Sequence, residues 1–143
     1  MTRYVFSTAE TIRYRYPTHE NDLVLDRAEA ATTEVFVVVL EPGEAPPLHQ
    51  HDDAEQIFYI LDGTGTLTIG EPAQNFNVTT GDVVRIPPHT RHSIKCDGAR
   101  TLRYLSVDAF VGEKDPSEPT WDAHVKTLCD RFGWDFSQVK LTA

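Results

Sequence analysis

The sequence predicts an all-β domain, and three features of its apolar pattern lead to that prediction. Short runs rich in Val, Ile, Thr, Tyr and Phe show a strand-like period along most of the chain. Gly, Pro and Asp interrupt these runs at the spacing typical of β-sandwiches and β-barrels. A helical period occurs only near the C-terminus.

Ten short strands are predicted, and turn residues separate several of them. Asp62-Gly63 predicts a hairpin because glycine accepts the positive φ that such a turn requires. Gly81-Asp82 and Pro87-Pro88 predict the next two corners. The predicted strands cover residues 3–6, 12–16, 22–25, 33–40, 56–61, 64–69, 74–78, 82–86, 92–96 and 101–107.

One helix is predicted after a proline-rich linker at residues 116–119. Its apolar residues recur at intervals of three and four, which places them on one face of a helix. Thr120 is the expected N-cap and Gly133 the expected stop. We expect this face to pack on the β-domain or on a second subunit rather than on a cofactor. The apolar residues are Trp121, Val125, Leu128, Cys129 and Phe132.

Length, charge and cysteine content narrow the possible functions. The chain has 143 residues, which suits one domain, and 13 basic against 22 acidic residues give a net charge of −9. This charge disfavours binding to nucleic acid or to anionic lipid. The chain lacks the ~20-residue apolar run of a membrane span, and its N-terminus lacks the apolar core of a signal peptide, so we expect a cytoplasmic protein. Two widely spaced cysteines indicate neither a disulfide framework nor a thiolate metal site.

Histidines are clustered along the chain, since four of the six fall in two short segments. His49 and His51 are two residues apart, so in an extended chain both imidazoles face the same side and can bind one metal ion. His92 follows the proline-stiffened corner at Pro87-Pro88. A third imidazole from there would leave coordination positions of the metal open for water or substrate. His19 and His124 lie outside the two segments, and we expect them to be structural.

The two histidine segments resemble the two motifs of the cupin superfamily. Gly43, His49, His51 and Gly63 stand at positions of the first motif, and the second is matched by Gly81, Pro87 and His92. His89 replaces the inner glycine of the second motif, and Cys96 replaces its asparagine. The resemblance implies a double-stranded β-helix, also called a jelly roll or cupin barrel. It implies a single cupin domain over 1–143, with a barrel core at about 33–107, N-terminal strands, and a C-terminal linker and short helix at 112–143.

The first cupin motif also contains an oxygen ligand, for which the sequence offers two neighbours. Counting forward from His51 gives Glu55, whereas counting back from Gly63 gives Gln56. Only one can face inward, because adjacent residues of a strand point to opposite sides. The flanking residues are apolar on both faces, so alternation does not decide between them. We favour Gln56, since the hairpin turn fixes the register of the residues leading into it, and Glu55 stays the alternative.

Five further side chains are candidates for roles around the site. His89 and Tyr104 are candidate proton donors, hence candidate catalytic residues. Phe58 is expected to line the pocket, and Arg85 and Arg103 are candidates for holding a substrate carboxylate.

The resemblance to cupins implies a mononuclear metal protein that binds a small molecule. His49, His51 and His92, with Gln56 as a weaker fourth ligand, would hold a divalent transition metal such as Fe, Mn, Ni or Zn. The expected activity is that of a dioxygenase, isomerase or lyase acting on a small organic acid, phenol or enol. The alternatives are a non-catalytic ligand-binding or sensor domain and a cupin whose metal is purely structural. The resemblance also suggests a homodimer.

Overall fold

The computed structural model describes residues 2–141 and contains ten strands and two helices. The strands are β1 (Ile12–Arg15), β2 (Glu20–Leu25), β3 (Thr33–Leu40), β4 (Ala54–Asp62), β5 (Thr64–Ile69), β6 (Gln74–Thr79), β7 (Val83–Ile86), β8 (His92–Cys96), β9 (Leu102–Phe110) and β10 (Lys140–Leu141). The helices are α1 (Trp121–Phe132) and α2 (Phe136–Val139). Neither helix is long and apolar enough to cross a membrane.

The strands form two antiparallel sheets that share one hydrophobic core. The larger sheet has the order β10-β1-β2-β3-β9-β4-β7, and the smaller sheet has the order β6-β5-β8. Alternate residues of β4 and β9 are buried, as expected for strands with one face on a core. Both sheets contribute buried side chains to the core, among them Ile60, Leu102, Leu67 and Ile94. The predicted all-β class and the jelly-roll architecture are confirmed.

The first histidine segment lies beside β8 and is held there by backbone hydrogen bonds. Gly43 N–H donates to Cys96 O (2.9 Å), and Cys96 N–H donates to Glu44 O (2.9 Å). Further along, His49 and His92 exchange two backbone bonds of 3.2 and 2.8 Å. This isolated antiparallel bridge places the two histidines directly opposite each other.

Nine of the ten predicted strands are present, whereas the predicted strand at 3–6 is wrong. Residues 2–7 lie outside regular structure, and the side chains of Tyr4 and Val5 are exposed. The physical reason is that β1 has no free edge, because β2 pairs with one side of it and β10 with the other. β10 itself was not predicted.

The hairpin and the helix both form where the sequence predicts them. Gly63 has a φ of +95°, and a Cβ there would lie 2.7 Å from Thr101 O, so the position requires glycine. Thr120 caps α1 by accepting from Ala123 N–H (3.1 Å), and Gly133 ends it in the left-handed conformation. The helix packs on the barrel through Trp121, Val125 and Cys129, which are buried.

Candidate metal centre

His49, His51 and His92 converge at one end of the barrel interior. Each offers a ring nitrogen, and these three nitrogens all lie within 4.8 Å of one another. His49 and His51 come from the segment beside β8, and His92 begins β8 itself. Three imidazoles so arranged form one face of a coordination sphere.

Backbone carbonyls orient two of the three imidazoles. His49 Nδ1 lies 2.7 Å from Pro47 O, and His92 Nδ1 lies 2.9 Å from Thr90 O. A carbonyl only accepts hydrogen bonds, so each Nδ1 carries the proton and each Nε2 keeps a free lone pair. This is the outer-shell arrangement typical of histidine ligands.

The imidazoles are neutral at physiological pH. Burial lowers the pKa of His49 to about 4, of His51 to about 3 and of His92 to about 4, and each ring further lowers the pKa of a neighbouring ring. Neutral imidazole is the form that binds metal, so protons do not compete for these atoms near pH 7.

Gln56 faces the barrel interior, and Glu55 faces outward. Gln56 is buried and donates from Nε2 to Asp108 Oδ1 (2.8 Å), whereas Glu55 pairs with Arg85 on the outer surface (2.9 Å). Because the carboxylate of Asp108 accepts an N–H, the amide is oriented with Oε1 free. The role of Gln56 as a fourth ligand stays a prediction.

A divalent transition metal fits the donor atoms at this end of the cavity. His51 Nε2, His92 Nε2 and Gln56 Oε1 are buried, and none has a hydrogen-bond partner among the described residues. Leaving a buried polar atom unpaired costs ~1–3 kcal/mol, so three such atoms on residues of one cavity wall indicate a missing partner. A cation satisfies all three, since each presents a lone pair. We call His49, His51, His92 and Gln56 the metal end of the cavity.

The cavity has a volume of about 500 Å³ and extends from the imidazoles to α1. Phe36, Phe58, Tyr104 and Ser106 line its barrel wall. The opposite wall comes from one face of α1 and from Trp134 after it. The helix thus packs on the barrel as expected and also bounds the cavity, which the apolar stripe did not predict. The cavity-facing residues of the helix include Trp121, His124, Leu128 and Arg131.

Four charged residues form a buried network in the cavity wall. Arg27 binds Glu34 through two hydrogen bonds of 2.7 and 3.0 Å, and its guanidinium also donates to Glu118 O (3.3 Å). Burial raises the pKa of Glu34, and burial likewise raises the pKa of Asp108, the carboxyl hydrogen-bonded to it. Asp108 raises the pKa of Glu34 further, whereas the guanidinium of Arg27 lowers it. We call Arg27, Glu34, Asp108 and Glu118 the charged network.

Both histidines expected to be structural line the cavity. His19 is buried, stacks on Tyr16 at 4.6 Å between ring centroids, and contacts Thr18 Oγ1 (2.8 Å). Burial lowers the pKa of His19 to about 3. His124 Nδ1 lies 3.1 Å from Glu118 Oε1, which joins the helix to the charged network.

The other predicted site residues are only partly brought together. Phe58 and Tyr104 line the cavity, and their rings lie 4.8 Å apart. His89 stands at an exposed corner with a φ of 60°, next to Asp52 (2.9 Å), and does not line the cavity. Arg85 and Arg103 alternate with inward-facing neighbours on β7 and β9, so their side chains leave the cavity wall. The physical reason is that adjacent residues of a strand face opposite sides. Ile86 and Tyr104 face inward, so Arg85 and Arg103 beside them do not.

The sequence reasoning missed the charged network, although one signal for it was present. Glu34 shares its parity with Phe36, Val38 and Leu40, which all face the core. An acidic residue on the apolar face of a strand indicates a buried partner, because an unpaired buried charge is strongly unfavourable. Arg27 and Glu118 belong to no comparable pattern.

Comparison with known protein families shows to which family this chain belongs. The model of the family described as "Cupin domain" matches residues 36–108, just over half of the chain. The chain belongs to the cupin family. Both histidine segments of this cupin lie within the matched residues.

Relatives of this cupin differ widely in what they are named for. An uncharacterised protein of Methanocaldococcus jannaschii is 37% identical over 67 residues, covering 47% of this chain and 52% of that protein. Quercetin 2,3-dioxygenase of Bacillus subtilis is 34% identical over 74 residues, covering 50% of this chain and 21% of the dioxygenase. This cupin thus spans about half the length of the first relative and about a fifth of the second.

A solved structure supports the fold of this cupin over most of its length. A protein of Thermotoga maritima described as a predicted oxalate decarboxylase superposes with a TM-score of 0.64. It is 22% identical, and the match covers 76% of this chain and 100% of that one. At this identity the likeness establishes the barrel and carries no activity with it.

Proposed function

We propose that this cupin is a mononuclear metal enzyme that acts on a small organic acid, phenol or enol. The observation that carries the proposal is the convergence of three neutral imidazoles on one side of a cavity of about 500 Å³. His49, His51 and His92 would hold a divalent transition metal such as Fe, Mn, Ni or Zn, with the Oε1 atom of Gln56 as a fourth ligand. A bound metal would supply a Lewis acid able to polarise an oxygen of the substrate.

The chain's own residues favour an oxygen-bearing ligand of modest size. The three imidazoles and the carboxamide carry no charge, so the donor set does not neutralise a divalent cation and an anionic oxygen beside it is favoured. Phe36, Phe58 and Tyr104 offer flat apolar surfaces, and residues of α1 line the facing wall. Burial raises the pKa of Tyr104, so its hydroxyl stays protonated and can donate to a ligand.

The similarity to quercetin 2,3-dioxygenase supports including a dioxygenase reaction among the candidates. Isomerase and lyase reactions use the same type of open metal site and are equally part of the proposal. The homodimer and the cytoplasmic location remain predictions.

Metal binding and turnover can be tested separately. Metal-free protein is titrated with Fe²⁺, Mn²⁺, Ni²⁺ and Zn²⁺, and one ion per chain is the expected stoichiometry. Each loaded form is then screened for oxygen uptake and product formation with catechols, flavonols, diketones and keto acids. The double variant His49→Ala/His51→Ala is the control and should lose both readouts.

The outcomes distinguish the proposal from its alternatives. Stoichiometric metal with no turnover, combined with ligand-dependent thermal shifts, would indicate a binding or sensor module. Absence of specific metal binding would overturn the metal centre altogether.

A further inference from the structure

Half of the unpartnered polar atoms in the cavity wall lie outside the metal end. Six buried side-chain nitrogen or oxygen atoms lack a hydrogen-bond partner within residues 2–141, and all six belong to residues that line this one cavity. Three of them are the donor atoms of the metal end. The other three are Asn21 Oδ1, Ser106 Oγ and Trp121 Nε1.

Ser106 and Trp121 border the same part of the cavity. Ser106 on β9 stands directly opposite Phe36 on β3, and the ring of Phe36 lies 4.6 Å from the indole of Trp121. The exposed fractions of Ser106 and Trp121 are 0% and 1%. Both side chains are thus held in place, with a hydroxyl and an indole N–H that bind no protein atom described here.

On the other side of Ser106, one aromatic ring separates it from His92 of the metal end. Phe58 on β4 also stands directly opposite Ser106, and its ring lies 6.1 Å from the ring of His92. The wall therefore runs in the order His92, Phe58, Ser106, Phe36, Trp121. Since neighbouring strands are ~4.8 Å apart, Phe58 and Phe36 stand on backbones separated by roughly 10 Å, on either side of Ser106. These two flat apolar side chains suit contact with a planar ring of a ligand.

We propose that Ser106 and Trp121 form a second polar subsite, which binds an oxygen function of the ligand remote from the metal. The indole N–H only donates hydrogen bonds, so the bound group must be an acceptor such as a hydroxyl, carbonyl or carboxylate oxygen. The serine hydroxyl donates or accepts and therefore suits the same groups. Phe58 and Phe36 would contact the ring between the two oxygen functions.

The subsite restricts the ligand class. The compound is a small aromatic or enolic molecule with two oxygen functions, one directed to the imidazoles and one to the indole. The first contact rests on the proposed metal function, whereas the second depends only on the geometry of β9 and α1. Failure of one can therefore be observed without failure of the other.

Matched probes test the subsite in the full chain. Benzoate carries one oxygen function, and 2-, 3- and 4-hydroxybenzoate add a second at three positions around the same ring. Calorimetric titration into the zinc-loaded protein should show at least one hydroxybenzoate binding about tenfold tighter than benzoate, the gain of about one hydrogen bond.

Variants show whether Ser106 and Trp121 cause that gain. Trp121→Phe and Ser106→Ala should each reduce the ratio of the two affinities to near one. Tyr59→Phe removes a hydroxyl from an exposed side chain of β4 and is the control, which should keep the ratio. Circular dichroism and zinc stoichiometry verify that each variant is folded. If Trp121→Phe does not fold, the test of the subsite relies on Ser106→Ala alone.

Three results would overturn the subsite. These are no measurable binding of any probe, equal affinities for benzoate and all three hydroxybenzoates, and a ratio retained in the folded variants. Equal affinities would mean that water satisfies these atoms as well as a ligand does. If zinc itself does not bind, the same ratio is measured on the metal-free chain, and the missing zinc then counts against the proposed function alone.

Discussion

Two parts of the cavity wall differ in how their polar groups are satisfied, although one hydrogen bond, from Gln56 to Asp108, joins them. At the metal end, neutral imidazoles are oriented by backbone carbonyls, and three lone pairs remain unpaired. Toward α1, the charged network pairs its own groups, and His124 joins that network through Glu118. The first arrangement leaves lone pairs free for a ligand, whereas the second satisfies most of its polar groups within the chain.

The most strongly charged part of the wall is satisfied within the chain, because Arg27 and Glu34 bind each other through two hydrogen bonds. The proposed metal site instead uses uncharged groups, whose lone pairs have no partner among the described residues.

The largest effect is expected from the buried pair of Arg27 and Glu34. Arg27→Met leaves two buried carboxyls without a cation, so the free energy of unfolding should fall by ~3–5 kcal/mol. Equilibrium urea denaturation measures it. Arg85→Met removes the exposed pair with Glu55 and is the matched control, with an expected loss below ~1 kcal/mol. Similar losses for the two variants would contradict a stabilising role for the network.

The second effect concerns metal affinity. His92→Ala removes one of three imidazoles and should weaken zinc binding by at least ~100-fold, beyond the effect of most outer-shell changes. Competitive titration with a chromogenic chelator measures it. His89→Ala removes an exposed imidazole of the same segment and should leave the affinity unchanged within about a factor of three. A comparable loss in His89→Ala would place the metal elsewhere.

The third effect is a loss of stability in acid, measured on metal-free protein. Burial lowers the pKa of His19 to about 3 from 6.5, so below pH 6.5 the unfolded chain binds a proton that the folded chain does not. The free energy of unfolding should therefore fall as pH falls, by up to ~1.4 kcal/mol per pH unit for this histidine. His19→Gln should flatten the dependence between pH 6 and 5 in urea denaturation. An unchanged slope would show that His19 is protonated in the folded state.

The smallest expected effect is on zinc affinity, and it distinguishes Gln56 from its neighbour Glu55. Gln56→Ala should weaken zinc binding by about tenfold if Oε1 is a ligand, because a neutral amide is a weaker donor than imidazole. Glu55→Ala, one residue away on the outer face, should leave zinc affinity unchanged. Titration of both variants under one condition gives the comparison. Equal affinities in the two variants would restrict the ligand set to the three histidines.

Most of the barrel could be predicted from the sequence, because strand period and turn chemistry are local properties. The hairpin at Asp62-Gly63 and the cap at Thr120 depend only on a few neighbouring residues, and both occur as expected. The failed strand at 3–6 shows the limit of this approach. Its residues have suitable strand propensity, but pairing requires a free strand edge. The edge of β1 that would be available is occupied by β10.

The choice between Glu55 and Gln56 shows the same limit within the site. β4 has an irregularity between Ile60 and Asp62, where two steps along β4 correspond to one step along β9. This bulge reverses the parity of all residues before it, so counting by alternation from Gly63 would place Glu55 inside. The observed orientation depends on the partner strand, about which the local sequence says nothing.

Spacing along the chain was enough to predict an all-β fold and to single out the three histidines. Packing in three dimensions was needed to show that α1 lines the cavity and that Arg27 joins Glu34 to Glu118. The same holds for Trp121 and Ser106, which flank the ring of Phe36. These contacts join residues up to 91 positions apart. Such contacts depend on how whole strands and a helix pack together, and no periodic pattern in the sequence encodes that packing.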